Sequence, residues 1–213
     1  LDQFVKSSPA GMTPTETGGF RGYAARFLNI DRQRDIILPG AFAKALPDFI
    51  DAGGLVLADH KNTTAAVIGT LVDAHEDTSG LLVDVSFSAT KAGQEVRQLM
   101  TERAVRKMSI SFYAKSRPYT EKQILQVWET YRVSPTEKQR QLAKGGANVI
   151  SDVAEILEVS VVPIPANPGA EILAVKSFDD PETPNDPVVS QVDLFALFDR
   201  AQLADKVLGR VLR

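Results

Sequence analysis

Cysteine is missing from all 213 residues. That excludes disulfides, thiolate zinc sites and a cysteine nucleophile, and it fits a reducing cytoplasm. Histidine occurs only twice, as His60 and His75. His75-Glu76-Asp77 has the spacing of a turn with no second histidine nearby, so no metal site is expected there. No apolar run approaches the ~20 residues that cross a bilayer, and no membrane span is expected. Leu1-Asp2-Gln3-Phe4 shows no basic start before an apolar block, so no secretory signal is expected either. Neither sign of charge dominates: 24 Lys and Arg stand against 27 Asp and Glu, a net −3. The basic surplus of a nucleic-acid groove is therefore lacking. No Gly-x-Ser-x-Gly elbow occurs, and Gly145-Gly146 is not followed by the Lys-Ser/Thr of a phosphate loop.

What is present is a chain with 44% hydrophobic and 24% charged residues. That suits one substantial core with room for a tail. Residues 1–19 mix Ser, Pro, Thr and Gly and read as a loose arm. Strands are expected over Phe20–Asn29, Leu55–Ala58, Val67–Asp73 and Leu81–Ser88, the last two joined by a hairpin turn at Glu76–Gly80. Others are expected around Ser109, over Ile124–Val133, in Val149–Val162 as one long strand or two, and over Ala170–Lys176. Gly40–Ile50 reads as a short helix interrupted by Pro47, and Lys91–Arg103 as a helix with Val96, Leu99 and Met100 on its apolar stripe. The polar stretch Ser134–Asn148 reads as a mobile insertion.

About seven strands with two or three helices, not alternating regularly, give an α+β fold. The expected form is a closed or nearly closed, mainly antiparallel β-barrel with peripheral helices. This barrel domain spans 20–177. An acidic, Pro-rich linker follows at 178–190. In 191–213, Leu194, Leu197, Phe198, Leu203, Val207, Leu208 and Val211 recur at helical spacing. They describe a C-terminal amphipathic helix that needs a partner, with self-association or docking on another protein the expected role.

Three segments carry the candidate chemistry. Met108, Ile110 and Phe112 alternate with Ser109, Ser111 and Tyr113, so two hydroxyls share one strand face. They stand about 7 Å apart, and only one can occupy an attacking position. His60 ends the run Leu55-Val56-Leu57-Ala58-Asp59-His60 and can act as general base. Asp59 should point away from it. Glu158 lies inside Ile156-Leu157-Glu158-Val159-Ser160-Val161-Val162, where a carboxylate is costly to bury unless paired. Glu155 competes with it from the opposite face of a regular strand. A serine, a histidine and a carboxylate are the parts of a serine hydrolase. Lys107 and Lys115, the alternative bases of a Ser-Lys dyad, read as exposed charges.

The segments Gly22-Tyr23-Ala24, Asp35 with Pro39-Gly40-Ala41-Phe42, Asp59-His60, Ile68-Gly69, Ser79-Gly80-Leu81, Ser109-Ile110-Ser111-Phe112 and Glu158 through Pro168 occur in an order that resembles the prohead proteases of tailed double-stranded DNA phages. The resemblance covers roughly residues 20 to 176. It departs from the usual Ser-Ile-Gly-Phe pattern at Ser111. It implies the barrel of herpesvirus assemblins and a serine endopeptidase without cofactor or metal. In that reading Ser109 is the nucleophile, His60 the base and Glu158 the third member, with oxyanion donors from backbone amides near Ser109 or a nearby loop. It also implies action inside the assembling procapsid, in the bacterial host cytoplasm, on the major capsid protein or its scaffold segment and on the protease itself. A non-catalytic procapsid or scaffold-binding module and a serine esterase are the alternatives.

Overall fold

In the computed structural model, which describes residues 18–176, the sheet is organised around one long strand. The apolar stretch near Val149 forms as a single strand, Ala147–Val162 (β7). The remaining strands are Gly19–Arg26 (β1), Asp35–Ile37 (β2), Leu55–Ala58 (β3), Val67–Glu76 (β4), Gly80–Phe87 (β5), Lys107–Tyr119 (β6) and Ile172–Lys176 (β8). One edge of β7 pairs along its length with antiparallel β6. The other edge is shared, with β2 parallel to its first half and β3 parallel to its last turns.

From β3 the ladder runs antiparallel through β4, β5, β1 and β8. The start of β8 then returns to the start of β6 through a bridge between Lys107 and Glu171. Hydrogen bonds from Met108 N to Ala170 O (3.3 Å) and from Ile172 N to Arg106 O (3.0 Å) flank that bridge. The result is the expected nearly closed, mainly antiparallel barrel, with β2 as an eighth strand outside the ring. Gly22 sits where β1, β6 and β8 converge. A Cβ there would stand 2.6 Å from Glu171 O and 2.7 Å from Met108 Sδ, so only glycine allows this approach.

The interior is aliphatic and aromatic, with Phe20, Phe42, Phe87, Met108 and Ile68 fully buried. Phe42 packs edge-on against Phe112 of β6, ring centroids 5.6 Å apart. Four α-helices lie among the described residues: Ala45–Asp51 (α1), Lys91–Thr101 (α2), Glu121–Thr130 (α3) and Glu137–Ala143 (α4). The Thr90 hydroxyl caps α2 by accepting from Gly93 N. Pro47 does not interrupt a helix; α1 begins at Ala45, so Pro47 falls in the first turn, where its missing N–H costs nothing.

Two sequence expectations fail between β6 and β7. Ile124–Val133 is not a strand but most of α3. Ile124, Val127 and Trp128 are buried at helical spacing while Leu125 faces out, and Gln123 Oε1 accepts from Thr120 N at 2.9 Å in a capping box. Ser134–Asn148 is not a mobile insertion: it holds α4 and the start of β7. Gln139 of α4 bonds both backbone groups of Ile30, at 2.7 and 3.0 Å, and Trp128 Nε1 donates to Leu28 O at 2.7 Å. The three-residue β2 was not expected, being too short to show a period. The linker at 178–190, the helix at 191–213 and nearly all of the N-terminal arm lie outside the described residues.

Candidate active site

The parallel pairing of β3 with β7 determines where the histidine goes. Leu57 stands opposite Ser160 and Ala58 opposite Val161, and Asp59 N donates to Val161 O at 3.1 Å. The chain then turns sharply, with φ of +56° at both Asp59 and His60. Two consecutive left-handed residues that are not glycine are costly, and such strain concentrates at functional positions. The turn brings the His60 imidazole over β7. Asp59 points away into solvent, where it meets Lys61 Nζ at 3.6 Å.

Glu158 is buried at 6% exposure, and its Oε1 lies 2.6 Å from His60 Nδ1. Its other oxygen, Oε2, accepts a short hydrogen bond from Ser160 Oγ. Ser160 is fully buried and also accepts from the backbone N–H of His60 at 3.1 Å. A bulge makes this face of β7 possible. Across from Ser111 and Phe112 the register jumps from Glu158 to Ile156, leaving Leu157 unpaired. Ile156 and Val159 can then both enter the core although they are three residues apart. Glu155 is exposed opposite Tyr113.

On β6, Ser109 stands opposite Ser160 and Ser111 opposite Glu158. Both serines line a groove of about 710 Å³ together with His60, Phe112, Leu157 and Ile164. Ser111 Oγ lies 3.1 Å from His60 Nδ1. The Ser109 hydroxyl has no hydrogen-bond partner among the described residues. Arg32 and Gln33, on the segment between β1 and β2, line the groove as well.

The electrostatics follow from the burial. The hydrogen bond to Glu158 raises the His60 imidazole above its ordinary range; burial pulls the other way, and the charges of Glu158 and Asp59 add to the rise. Burial pushes the Glu158 carboxyl up, but hydrogen bonds with His60, Ser111 and Ser160 and the charge of His60 outweigh it, so the group ends below its ordinary value. Glu158 is thus a buried anion held by three donors, next to an imidazole poised to take a proton. Such a pair beside a free hydroxyl can activate a nucleophile.

The other polar candidates lie elsewhere. His75 is on β4, half exposed, 3.3 Å from Asp73. Glu76 turns inward and accepts from Phe42 N at 2.9 Å, while Asp77 accepts from Tyr23 Oη at 2.7 Å and from the turn amides of Ser79 and Gly80. Among the described residues no cluster of three or more His, Asp or Glu could hold a metal. Lys107 is tied to Glu171 and to Pro168 O, each at 3.1 Å, and Lys115 is exposed. Sequence reasoning gave Ser160 no part. The one available signal was its spacing, two residues from Glu158 and so on the same strand face.

The sequence matches the family described as Caudovirus prohead serine protease over residues 6–183. It is 31% identical over 170 residues to the prohead protease of Enterobacteria phage HK97; the aligned part is 79% of this chain and 65% of that protein, so the chain spans just under two thirds of the relative's length. The structure is similar to that of the bacteriophage T4 capsid assembly protease gp21, with a TM-score of 0.46 and 9% identity over 68% of this chain and 80% of the other. The varicella-zoster virus protease gives a TM-score of 0.41 and 13% identity over 87% of this chain and 76% of the other. Since the family match takes in most of its residues, the chain belongs to the family of Caudovirus prohead serine proteases.

Proposed function

We propose that this protein is a serine endopeptidase of phage procapsid maturation, with Ser109 as nucleophile, His60 as general base and acid, and Glu158 as the carboxylate that orients His60. Family membership supports peptide hydrolysis. The observation that carries the assignment is the 2.6 Å pairing of His60 Nδ1 with buried Glu158, at a groove into which Ser109 presents an unbonded hydroxyl.

The tautomer follows from the pairing. Nδ1–H donates to Glu158, which leaves Nε2 with its lone pair free for a proton. Ser109 Oγ attacks the peptide carbonyl carbon as its proton passes to Nε2. The tetrahedral intermediate collapses, the C–N bond breaks, and the imidazolium protonates the departing amine. Water then hydrolyses the Ser109 ester by the same route, returning the carboxylic acid and the free serine. Ser109 and His60 share no hydrogen bond among those the structure shows; catalytic hydrogen bonds of this kind commonly tighten only in the Michaelis complex.

Ser111 is the second reading, because its hydroxyl is the one in contact with the ring. That contact is to Nδ1, whose single proton already points at Glu158. Ser111 is therefore placed to donate to the carboxylate, in parallel with Ser160, and its own proton has no acceptor on the imidazole.

The substrates in this reading are the major capsid protein or its scaffold segment and the protease itself, met inside the procapsid in the bacterial host. Ser109→Ala and His60→Ala should each abolish cleavage of coat-derived peptide, and the double variant should be little worse than either alone, since the groups act as a unit. Full activity in Ser109→Ala with loss in Ser111→Ala would move the nucleophile. Retention in all three would leave the barrel as a binding module. A matched peptide and ester panel separates the protease from an esterase.

A further inference from the structure

We propose that Ser160 is a positioning residue of the active site, a hydroxyl strut that fixes the His60 backbone and the Glu158 carboxylate relative to each other. The inference rests on the reading of His60 and Glu158 as a catalytic pair and adds to it a residue without which the pair loses its register.

The hydrogen-bond inventory of Ser160 fits the role. A serine hydroxyl has one proton and two lone pairs. The proton goes to Glu158 Oε2, and a lone pair accepts the His60 backbone N–H at 3.1 Å. Ser160 is fully buried, so water cannot replace either bond. Both partners need it. The His60 N–H lies on a turn with positive φ at two consecutive residues, which ends β3 and leaves that donor outside the sheet ladder. The Glu158 carboxylate has one oxygen committed to the imidazole and the other to Ser160. Carboxylate, hydroxyl and His60 amide form a closed ring of contacts with the imidazole. The two histidine atoms in it, backbone N and Nδ1, define how the ring is aimed.

Position in the sheet makes the strut rigid. Ser160 is paired on both sides, with Leu57 of β3 and Ser109 of β6. Its backbone thus lies between the strand that ends in the base and the strand that carries the nucleophile, and its hydroxyl ties the end of β3 to Glu158 of β7. Removing it takes a donor from the buried Glu158 carboxylate and the acceptor from the His60 amide at once, and the strained turn loses what holds it.

The test compares Ser160→Ala, Ser160→Thr and Glu158→Gln with wild type. Peptide hydrolysis is followed across pH, and the imidazoles are titrated by ¹⁵N NMR. With only two histidines in the chain, the half-exposed His75 of β4 serves as the internal control. Ser160→Ala should fold, by its thermal transition, yet lose kcat about 10- to 100-fold with little change in KM. The His60 resonances should titrate at a lower pH than in wild type, because a carboxylate that has lost its register holds the imidazolium less strongly. The His75 resonances should not change. Ser160→Thr, which keeps the hydroxyl, should recover most of the lost turnover. Wild-type kcat and an unchanged His60 titration in folded Ser160→Ala would overturn the proposal, as would equal losses in the Ala and Thr variants when both are folded. If Glu158→Gln is also fully active, the underlying pair is wrong; if only Ser160→Ala is active, the strut alone is.

Discussion

His60 can serve as base only when neutral, and Glu158 holds it protonated to a higher pH than an isolated imidazole. The acidic limb of kcat/KM should therefore have its midpoint above the ordinary ~6.5. Glu158→Gln should move that limb to lower pH and cut kcat by up to about 10⁴-fold, because the ring loses its orienting anion; an unmoved limb contradicts the pairing. The effects on stability run in opposite directions. The depressed Glu158 stabilises the fold above the ordinary carboxyl range, and this is lost as pH falls through its folded value. The raised His60 stabilises most below the ordinary imidazole value, and this is lost as pH rises through its folded value. Glu76 differs from both. Burial pushes its carboxyl up to about 7, against hydrogen bonds from the Phe42 and Gly40 amides, so it destabilises the fold as pH rises from 4.5 past 7. Urea unfolding of Glu76→Gln should shift by about 3 kcal/mol in the variant's favour between pH 4.5 and 8, relative to wild type. Parallel curves would show that Glu76 ionises freely.

Helices α3 and α4 give the segment between β1 and β2 its shape. That segment contributes Arg32 and Gln33 to the groove, and it is held from behind by Trp128 at Leu28 and by Gln139 at both backbone groups of Ile30. Gln139→Ala should raise KM for peptide several-fold with kcat nearly unchanged, and lower stability by about 1–2 kcal/mol. A fall in kcat at constant KM would mean that the segment acts on the chemistry. These helices show where sequence reading went astray. Ile124, Val127 and Trp128 occur at helical spacing, and Thr120-x-x-Gln123 is a capping signal; the partial alternation along the stretch suggested a strand instead. In 134–148 the short α4 has too few apolar residues to show a stripe, and the tertiary bonds of Gln139 leave no local trace. The hairpin of β4 and β5 was legible because its turn and both alternating strands are contiguous in sequence.

At the scale of the whole molecule the site is a product of non-local pairing. Ser109 comes opposite Ser160 and Ser111 opposite Glu158 because β6 and β7 pair antiparallel, and His60 reaches Glu158 because β3 runs parallel to β7. The barrel could be read from the number and spacing of strands, and the residue types from their apolar surroundings. The parallel pairing, the Leu157 bulge and the Ser160 contacts could not, since each depends on register. Every described strand and the entire groove precede residue 177. Truncation after Ser177 should therefore leave peptide hydrolysis within about twofold of that of the 213-residue chain, while self-association measured by sedimentation weakens if the C-terminal segment docks as its apolar spacing suggests; loss of hydrolysis would make that segment part of the catalytic unit. The central claim is that Ser109 is the nucleophile, and covalent labelling tests it most directly. The 213-residue chain is treated with a fluorophosphonate, digested, and the adduct mapped by mass spectrometry. One phosphonyl group is expected on Ser109, absent in His60→Ala, whereas an adduct on Ser111, or none on active protein, would contradict the account.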